Sequence, residues 1–332
     1  MGKGYHVAIV GATGAVGIEL LRVMERREFP VANLRLVASP RSVGRTLQFR
    51  SEEIRVEGFD QSSFSGIDLA FFSAGSQIAR EFAPHALKAG ASVIDNSSAF
   101  RMDDDVPLVI PEINPDDVRG HHGLIANPNC TTAIALMALY PLHRTFGLRR
   151  VFAASYQAVS GSGARAIDEL RQQVDATVRG EQIPVEIYPH QIAFNTLPQV
   201  DSFLENGYTK EEMKFQNEGR KMMHLPDFCA SVTCVRVPVY RAHSVAISAE
   251  FDQPVSLNAA RDALAKAPGL DLVDEPAANR YPMPLDCAGK DNCQVGRLRL
   301  DCAFKNGLSL WVCGDQLLKG AALNAIQIAE LL

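Results

Sequence analysis

The segment IVGATGAVG, residues 9–17, constrains the fold of this chain more than any other feature. An apolar strand predicted at Tyr5–Val10 precedes it, and a helix predicted at Val16–Arg27 follows it. Glycine at positions 11, 14 and 17 lets the backbone turn tightly and lets a pyrophosphate approach the free N–H groups of the helix. The segment therefore predicts a dinucleotide-binding turn, with a tight turn that binds no ligand as the alternative.

Strands and helices alternate through the first 128 residues. After the glycine turn, the pattern predicts a helix at Gln77–Ala89 and strands at Leu34–Ala38, Leu69–Ser73 and Ser92–Asp95. This βαβ rhythm predicts an α/β fold with a Rossmann-type, doubly wound parallel sheet.

The pattern changes near residue 130. A long apolar helix is predicted at Thr131–Phe146, a charged helix near Thr209–Lys221 and an irregular, Pro-rich stretch over residues 183–199. Short strand-like segments favour a mixed sheet, and they are Arg150–Gln157, Cys229–Val235, Ser244–Phe251, Val295–Leu300 and Leu308–Val312. Because 332 residues is long for one core, we expect a first domain at 1–128 and an α+β domain at 129–315, with a helix at 316–332 packing back on the first domain.

Composition and charge exclude several classes of protein. The net charge of −5 gives no reason to expect nucleic acid or an anionic membrane as a partner. The sequence contains no apolar run of about 18 residues, so no membrane span is expected. Its seven cysteines include no CxxC pair, which favours free thiols in a reducing cytoplasm over disulfides or a metal site.

The residues after the second predicted strand bear on the choice of cofactor. A site for NAD usually carries Asp or Glu there to accept a hydrogen bond from the ribose 2′-OH. This chain has ASPRSVG instead, with Ser39, Arg41 and Ser42. An arginine beside hydroxyls suits a 2′-phosphate, so the sequence favours NADP(H); the alternative is that Arg41 is a solvated loop charge.

Cys130 lies in the segment NPNCTTA, at the predicted start of the long helix. Pro128 and Asn129 suit a helix start, and a helix N-terminus lowers the pKa of a cysteine. A thiolate there can add to an aldehyde, and the adduct can lose hydride to NADP⁺ and become a thioester; an acyl phosphate gives the same thioester in reverse. From this segment alone, burial as a small hydrophobe remains the alternative.

Thioester chemistry needs a group that transfers protons near neutral pH, and eight histidines compete for that role. His243 lies in RVPVYRAHS, in a turn between two strand-like segments, seven residues after Arg236. The guanidinium of an arginine presents a planar fork suited to a carboxylate. A structural role for His243 remains the alternative at this point.

Eight motifs, spread over nearly the whole chain, together resemble the aspartate-semialdehyde dehydrogenase family. They are GATGAVG, FFSAG, DNSSAFRM, VIPEIN, ANPNCTTA, SYQAVSGSG, RVPVYRAHS and LWVCGDQLLKGAALNA. The resemblance implies a Rossmann domain that binds NADP and a second, catalytic domain that forms a homodimer or a dimer of dimers. It implies an NADP-dependent, phosphorylating dehydrogenase that interconverts aspartyl phosphate and aspartate semialdehyde.

The resemblance also implies a role for individual residues. The catalytic residues would be Cys130 as the acylated nucleophile, Gln157 orienting the intermediate and His243 as the acid/base group. Substrate would be bound by Glu218 at the amine, Arg236 at the carboxylate, Lys221 and Arg101 at the phosphate, and also by Asn129. The cofactor contacts would be Gly11, Ala12, Thr13, Gly14, Ala15, Val16, Ser39, Arg41, Ser42, Ser73, Gly75, Ser160, Gly161 and Gln316.

Two positions depart from the family pattern, and other readings stay open. Ala242 replaces the Gly, Ser or Cys expected before the histidine, and it would be strained if the position requires a positive φ. Gln316 stands where Asn is usual, which affects the contact expected there to nicotinamide. A reductase for N-acetylglutamyl phosphate and an inactive NADP-binding homologue are the alternative functions. Residue type alone also allows Glu218 and Lys221 to be an exposed ion pair and Arg101 a surface charge.

Overall fold

The computed structural model describes residues 4–332, apart from the side chains at positions 61 and 62. The chain forms two compact units, one comprising the residues up to Asn129 together with Ala321–Leu332, and the other Cys130–Gly320. The strands are β1 Tyr5–Val10, β2 Val31–Val37, β3 Thr46–Phe49, β4 Glu52–Glu57, β5 Leu69–Phe72, β6 Ser92–Asp95, β7 Leu124–Ala126, β8 Leu148–Gln157, β9 Cys229–Arg236, β10 His243–Phe251, β11 Leu270–Leu272, β12 Cys293–Leu300 and β13 Gly307–Gly314. The helices are α1 Ala15–Arg26, α2 Ser76–Lys88, α3 Cys130–Phe146, α4 Ala164–Arg179, α5 Lys210–Met223, α6 Leu257–Ala265, α7 Pro284–Cys287 and α8 Leu323–Ala329.

The first unit contains a sheet in the order β3-β4-β2-β1-β5-β6-β7. Neighbouring strands are parallel except for the edge pair β3–β4, which is antiparallel. The central strand β1 is fully apolar from Val7 to Val10, and these four side chains have no exposed surface. The prediction of a parallel Rossmann-type sheet is confirmed.

The antiparallel edge of this sheet is not among the predicted elements. Strand β4 has the sequence EEIRVE, with charges that resemble those of a loop. In the structure Ile54 and Val56 are the less exposed side chains of this strand, so only two apolar positions hold it to the sheet. So little apolar surface explains why periodicity does not detect the strand.

The second unit contains a sheet in the order β11-β12-β13-β10-β8-β9. The pairs β8–β9 and β11–β12 are parallel and the others are antiparallel, which confirms the predicted mixed sheet. Helix α3 packs on this sheet with Thr131–Leu139 entirely buried. Helix α5 begins after Thr209, whose hydroxyl accepts from the N–H of Glu212 while the Glu212 carboxylate accepts from the N–H of Thr209.

The predicted helix over residues 316–332 is wrong in its first part. Only Leu323–Ala329 is α-helical, and it follows a wider, π-helical turn at Leu318–Ala322. The carbonyl of Asp315 accepts from both Leu318 N and Gly320 N, which replaces the regular spacing of an α-helix. Helix α8 lies in the first unit, where Glu330 pairs with Arg27 at the end of α1. Helices α4 and α6 were not predicted.

Candidate active site

Three candidate site residues meet at one end of the strands of the second sheet. Gln157 is the last residue of β8 and Arg236 the last of β9, and the two are partners in the register of this parallel pair. His243 is the first residue of the antiparallel strand β10, opposite Gly314 at the end of β13. Four strand ends therefore converge, and they bring together three side chains that are 79 and 7 residues apart along the chain.

Arg236 and His243 are both bound to Ala158, the residue after β8. Arg236 Nη1 donates to the Ala158 carbonyl at 2.8 Å, and the Ala158 N–H donates to His243 Nδ1 at 3.0 Å. One backbone residue thus fixes the cation and the imidazole. Sequence reasoning did not identify Ala158, because its contribution comes from the main chain.

The His243 ring is fully buried and neutral. Burial holds its pKa well below the usual range, and the nearby Arg236 charge lowers the pKa further. Since Nδ1 accepts the Ala158 N–H, the neutral ring carries its proton on Nε2. Among the described residues, Nε2 has no hydrogen-bond partner. The ring can therefore donate a hydrogen bond to a substrate oxygen.

Arg236 is buried on the same side of the sheet. Its Nε has no hydrogen-bond partner among the residues that the structure describes. The guanidinium carbon lies 5.8 Å from the centre of the Tyr188 ring, whose hydroxyl donates to the Val159 carbonyl at 3.2 Å. A buried guanidinium with an unused N–H is suited to a carboxylate ligand. Tyr188 is a site residue that sequence reasoning missed, since it lies in the irregular Pro-rich stretch.

Gly161 lines the same space. A Cβ added to it would lie 2.9 Å from Arg236 Nη1 and 3.3 Å from His243 Nε2. Glycine therefore leaves open the volume next to both polar groups. A ligand that contacts Arg236 and His243 would occupy this volume.

Cys130 is the first residue of α3, as the sequence predicts, and its side chain is half-buried. Gly320 packs closely against it, since a Cβ there would lie 2.7 Å from the Cys130 Cβ. Burial raises the pKa of the Cys234 thiol in β9 to about 12, with Glu211 as the larger charge contribution and Cys130 as a smaller one. Cys130 therefore lies close enough to Cys234 for its charge to act on that thiol, and Cys234 lies two residues before Arg236 in β9.

The Gln157 amide is oriented by two neighbours. Its Nε2 donates to Ser155 Oγ at 3.2 Å and to Glu211 Oε1 at 3.3 Å. Glu211 is in turn paired with Lys214, with a distance of 3.0 Å between Nζ and Oε2. The nitrogen end of the amide is therefore directed at the protein. Glu211 was missed because a glutamate in the first turn of a helix resembles an ordinary solvated charge.

Glu218 and Lys221 lie on α5, one turn apart. Glu218 is only 2% exposed and Lys221 is half-buried, so an exposed ion pair is excluded. A buried carboxylate and an ammonium on one helix can bind groups of opposite charge on a small zwitterionic ligand.

Gln316 and Ala242 are joined by a hydrogen bond beside His243. The Ala242 N–H donates to Gln316 Oε1 at 2.8 Å, and Gln316 Nε2 donates to Ser160 Oγ. Ala242 has a φ of +73°, so the strain expected for alanine at such a position is present. Both ends of the Gln316 amide are thus engaged within this unit.

The glycine turn in the first unit has the features expected of a dinucleotide site. Gly11 has a φ of +89°, and a Cβ there would lie 2.7 Å from the Ser73 carbonyl oxygen. A Cβ on Gly17 would lie 2.4 Å from the Gly11 oxygen. Helix α1 begins after Gly14 without a side-chain cap, which leaves N–H groups for an anion. The other predicted contacts in this turn are Ala12, Thr13, Ala15 and Val16. Gly75 lies immediately before α2, two residues after Ser73.

The turn after β2 is tied to the glycine turn. Thr13 Oγ1 donates to Ser42 Oγ at 3.0 Å. Ser42 is buried, while Ser39 and Arg41 are exposed on the same short helical turn. An exposed guanidinium next to the glycine turn can reach a ligand that binds there.

Arg101 is buried in the first unit, so its interpretation as a surface charge is wrong. Its Nε donates to the Asn127 carbonyl at 2.8 Å and its Nη2 to the Asn96 carbonyl at 2.9 Å. The guanidinium therefore supports the segment that leads to Asn129, itself buried at the end of this unit.

The described residues contain neither a membrane-spanning helix nor a cluster of metal ligands. No helix within residues 4–332 is both long and apolar enough to cross a membrane. No group of three or more His, Cys, Asp or Glu side chains in this range is placed to hold a metal ion.

Comparisons with known proteins cover almost the entire chain. Residues 6–121 match the family model "Semialdehyde dehydrogenase, NAD binding domain", and residues 139–319 match "Semialdehyde dehydrogenase, dimerisation domain". The chain is 51% identical to an aspartate-semialdehyde dehydrogenase of Aquifex aeolicus over 99% of this chain and 98% of the relative. It is 47% identical to that of Bacillus subtilis over 100% of this chain and 98% of the relative.

A solved structure from Vibrio cholerae is similar throughout. It is described as aspartate semialdehyde dehydrogenase II complexed with ASA, with a TM-score of 0.96 and 43% sequence identity. The similarity covers 100% of this chain and 98% of that chain.

Proposed function

This chain is a member of the aspartate-semialdehyde dehydrogenase family, and on that premise we propose that it interconverts L-aspartyl 4-phosphate and L-aspartate 4-semialdehyde. The physiological direction would be NADPH-dependent reductive dephosphorylation, in the biosynthesis of lysine, threonine, methionine and diaminopimelate. The observation that carries the proposal is the shared attachment of Arg236 and His243 to Ala158, beside the space that Gly161 leaves open.

Cys130 is the proposed nucleophile. In the oxidative direction its thiolate adds to the aldehyde carbon and pushes the carbonyl electrons onto oxygen. Loss of hydride from the adduct leaves a thioester on Cys130. A phosphate oxygen then attacks the acyl carbon, the C–S bond breaks, and the thiolate is regenerated with release of aspartyl phosphate and the phosphate proton.

The other residues bind and orient the substrate. His243 donates a hydrogen bond from Nε2 to the oxygen on which negative charge develops. Its role as the acid/base group is the one expected from the family motifs. Arg236 binds the α-carboxylate, Glu218 the ammonium and Lys221 the phosphate, in the roles expected from the family motifs. Gln157 orients the acyl intermediate; Arg101 and Asn129 contribute to phosphate and substrate binding.

NADP(H) is the proposed cofactor, and it supplies the hydride acceptor or donor when bound. Gly11 and Gly17 let the backbone of this turn pack closely before α1, and the uncapped start of that helix fits a pyrophosphate. Arg41 with Ser39 would bind the 2′-phosphate. The remaining proposed contacts are Ala12, Thr13, Gly14, Ala15, Val16, Ser42, Ser73, Gly75, Ser160, Gly161 and Gln316.

We also propose a homodimer through the mixed sheet; a dimer of dimers would extend it. Phe152 and Tyr156 on β8 and Trp311 on β13 lie on one face of the sheet, and Phe152 is 52% exposed. An apolar sheet face of this kind is typical of an obligate interface. Sedimentation of Phe152→Glu tests this interface. The substitution should give monomers, and an unchanged dimer would mean that the interface lies on another face of the protein. The seven free thiols support a reducing, cytoplasmic location.

The reaction is tested by following NADP⁺ reduction with aspartate semialdehyde plus phosphate, and with N-acetylglutamate semialdehyde plus phosphate. We expect efficient, phosphate-dependent turnover of the first aldehyde, because the buried Glu218 suits a free ammonium. Preference for the N-acetylated aldehyde would establish the alternative reductase. Failure to turn over either aldehyde would favour a non-catalytic homologue.

A further inference from the structure

Strands β10 and β13 stop pairing at His243 and Gly314. Hydrogen bonds from side chains link the two segments beyond that point. His243 is opposite Gly314 in the register of β10 and β13. Beyond this pair the backbones no longer pair as strands. Instead, the side chains of Asp315 and Gln316 bind the two residues that precede His243, Arg241 and Ala242.

Asp315 anchors one side of this arrangement. Its carboxylate accepts from Arg241 Nε, from Gly289 N at 2.6 Å and from Leu317 N at 2.9 Å. The residue is 1% exposed. A buried carboxylate with several charge-assisted hydrogen bonds has little freedom to move, so the Cα of the next residue, Gln316, is fixed.

Gln316 holds the backbone immediately before the histidine. Its Oε1 accepts the Ala242 N–H at 2.8 Å, and its Nε2 donates to Ser160 Oγ. Ala242 and Gln316 are both buried, so water cannot replace these bonds. The side chain of Gln316 therefore takes the place of a backbone partner for Ala242.

The backbone that Gln316 holds is strained. Ala242 has a φ of +73°, in the left-handed region that residues other than Gly, Asn and Asp rarely adopt. Without its acceptor, the chain at Ala242 has a reason to relax to negative φ. Because Ala242 directly precedes His243, relaxation would turn the imidazole away from Ala158 and the space at Gly161.

We propose that Gln316, anchored through Asp315, is a positioning residue that keeps Ala242 in the left-handed conformation and thereby aims Nε2 of His243 at the substrate. The inference rests on the proposed function only for the activity of His243. The conformational part stands on the hydrogen bonds of Gln316 and the φ of Ala242.

The test uses strain relief. Gln316→Met keeps the length of the side chain and removes both hydrogen bonds. Glycine adopts positive φ as readily as negative φ, so Ala242→Gly removes the tendency to relax. The matched control is Gln173→Met. Gln173 is another fully buried glutamine of the same unit; its Oε1 accepts the N–H groups of Ile192 and Ala193, each at 2.9 Å.

We expect Gln316→Met to lower kcat by at least about thirtyfold, since a displacement of about 1 Å can cost on the order of a hundredfold. Adding Ala242→Gly should recover at least about tenfold of that loss, while the single Ala242→Gly variant stays within about threefold of wild type. Adding Ala242→Gly to Gln173→Met should not raise kcat. A raised KM for NADP⁺ without recovery in the double variant would overturn the proposal and leave Gln316 as a cofactor contact only.

A second measurement does not depend on activity. Hydrogen exchange at the Ala242 amide should accelerate at least about tenfold in Gln316→Met and remain unchanged in Gln173→Met, because a buried bond to this amide is lost only in the first. An unchanged exchange rate in Gln316→Met would overturn the proposal even if every variant were active. If wild type proved inactive on aspartate semialdehyde while exchange responded as expected, the proposed function would fail and the positioning of Ala242 would stand.

Discussion

Arg236 and His243 are held at opposite ends of one residue, Ala158, the first by its carbonyl at 2.8 Å and the second by its N–H at 3.0 Å. The distance between the cation and the imidazole is thus set by a main-chain unit at the end of β8. Rigid spacing of this kind is what a small substrate with a carboxylate near its aldehyde requires. The same contact fixes the His243 tautomer, with the proton on Nε2.

Replacing Arg236 by lysine tests the carboxylate assignment. Lys keeps the charge and loses the planar fork and the bond to the Ala158 carbonyl. We expect kcat/KM for aspartate semialdehyde to fall by about a hundredfold or more, with the KM for NADP⁺ unchanged. A simple aldehyde without the α-carboxylate should lose little. Equal losses on both aldehydes would mean that Arg236 supports the fold or the chemistry in general.

A methyl group at Gly161 tests whether substrate occupies the space beside Arg236 and His243. The new Cβ would lie 2.9 Å from Arg236 Nη1 and 3.3 Å from His243 Nε2. Gly161 is exposed and does not have a positive φ, so Gly161→Ala should fold normally and lose about tenfold or more in kcat/KM. The control is Gly120→Ala, where a Cβ meets nothing within 4 Å. If both variants retained wild-type kcat/KM, the substrate would have to lie elsewhere.

The neutrality of His243 predicts a pH effect on stability. In the folded state its pKa is lowered mainly by burial and to a smaller extent by the charge of Arg236. A histidine in the unfolded chain has a pKa of about 6.5. Only the unfolded state gains this proton just below that pH, so the contribution of neutral His243 is complete above about pH 6.5 and is lost as the pH falls.

Urea unfolding of wild type and His243→Asn at several pH values measures this contribution. Asn offers an oxygen to the Ala158 N–H and does not titrate. Below about pH 6.5 the free energy of unfolding should therefore fall more steeply with falling pH in wild type than in His243→Asn. The two slopes should differ by up to about 1.4 kcal/mol per pH unit. Parallel curves for the two proteins would show that His243 is not held neutral.

Substitution of Arg41 tests the preference for NADP. Charge-assisted hydrogen bonds to a 2′-phosphate contribute about 1.5–3 kcal/mol, so Arg41→Ala should raise the KM for NADP⁺ by about tenfold or more. The KM for NAD⁺ should change little, since NAD⁺ lacks that phosphate. Arg119→Ala is the control, because Arg119 is also exposed in the first unit but pairs with Asp116. An equal effect on both cofactors would argue against 2′-phosphate binding at Arg41.

Much of this architecture follows from the sequence because its signals are local. Strands β1 and β6 begin and end at the predicted residues, since short apolar runs bounded by turns define them. Cys130 begins α3 as expected from the Pro and Asn before it. Gln157, Arg236 and His243 could be named from their motifs, although their meeting depends on the strand order β10-β8-β9.

Other features depend on tertiary contacts and leave no local signal. Ala158 acts through its main chain, and Tyr188 reaches Arg236 from an irregular segment. The helix predicted from residue 316 fails because Asp315 and Gln316 bind the segment before His243. The contacts of Asp315 and Gln316 join residues 74 positions apart, and no sequence window of helical length contains both partners.

The proposed thioester on Cys130 is tested most directly by rapid mixing of enzyme, aspartate semialdehyde and NADP⁺ without phosphate. We expect a burst of about one NADPH per active site, followed by a stall that ends on addition of phosphate, because the acyl group then leaves the sulfur. Cys130→Ala should show no burst. Continuous turnover without phosphate, at the rate measured with phosphate, would contradict the proposed thioester. A burst that persists in Cys130→Ala would contradict it as well.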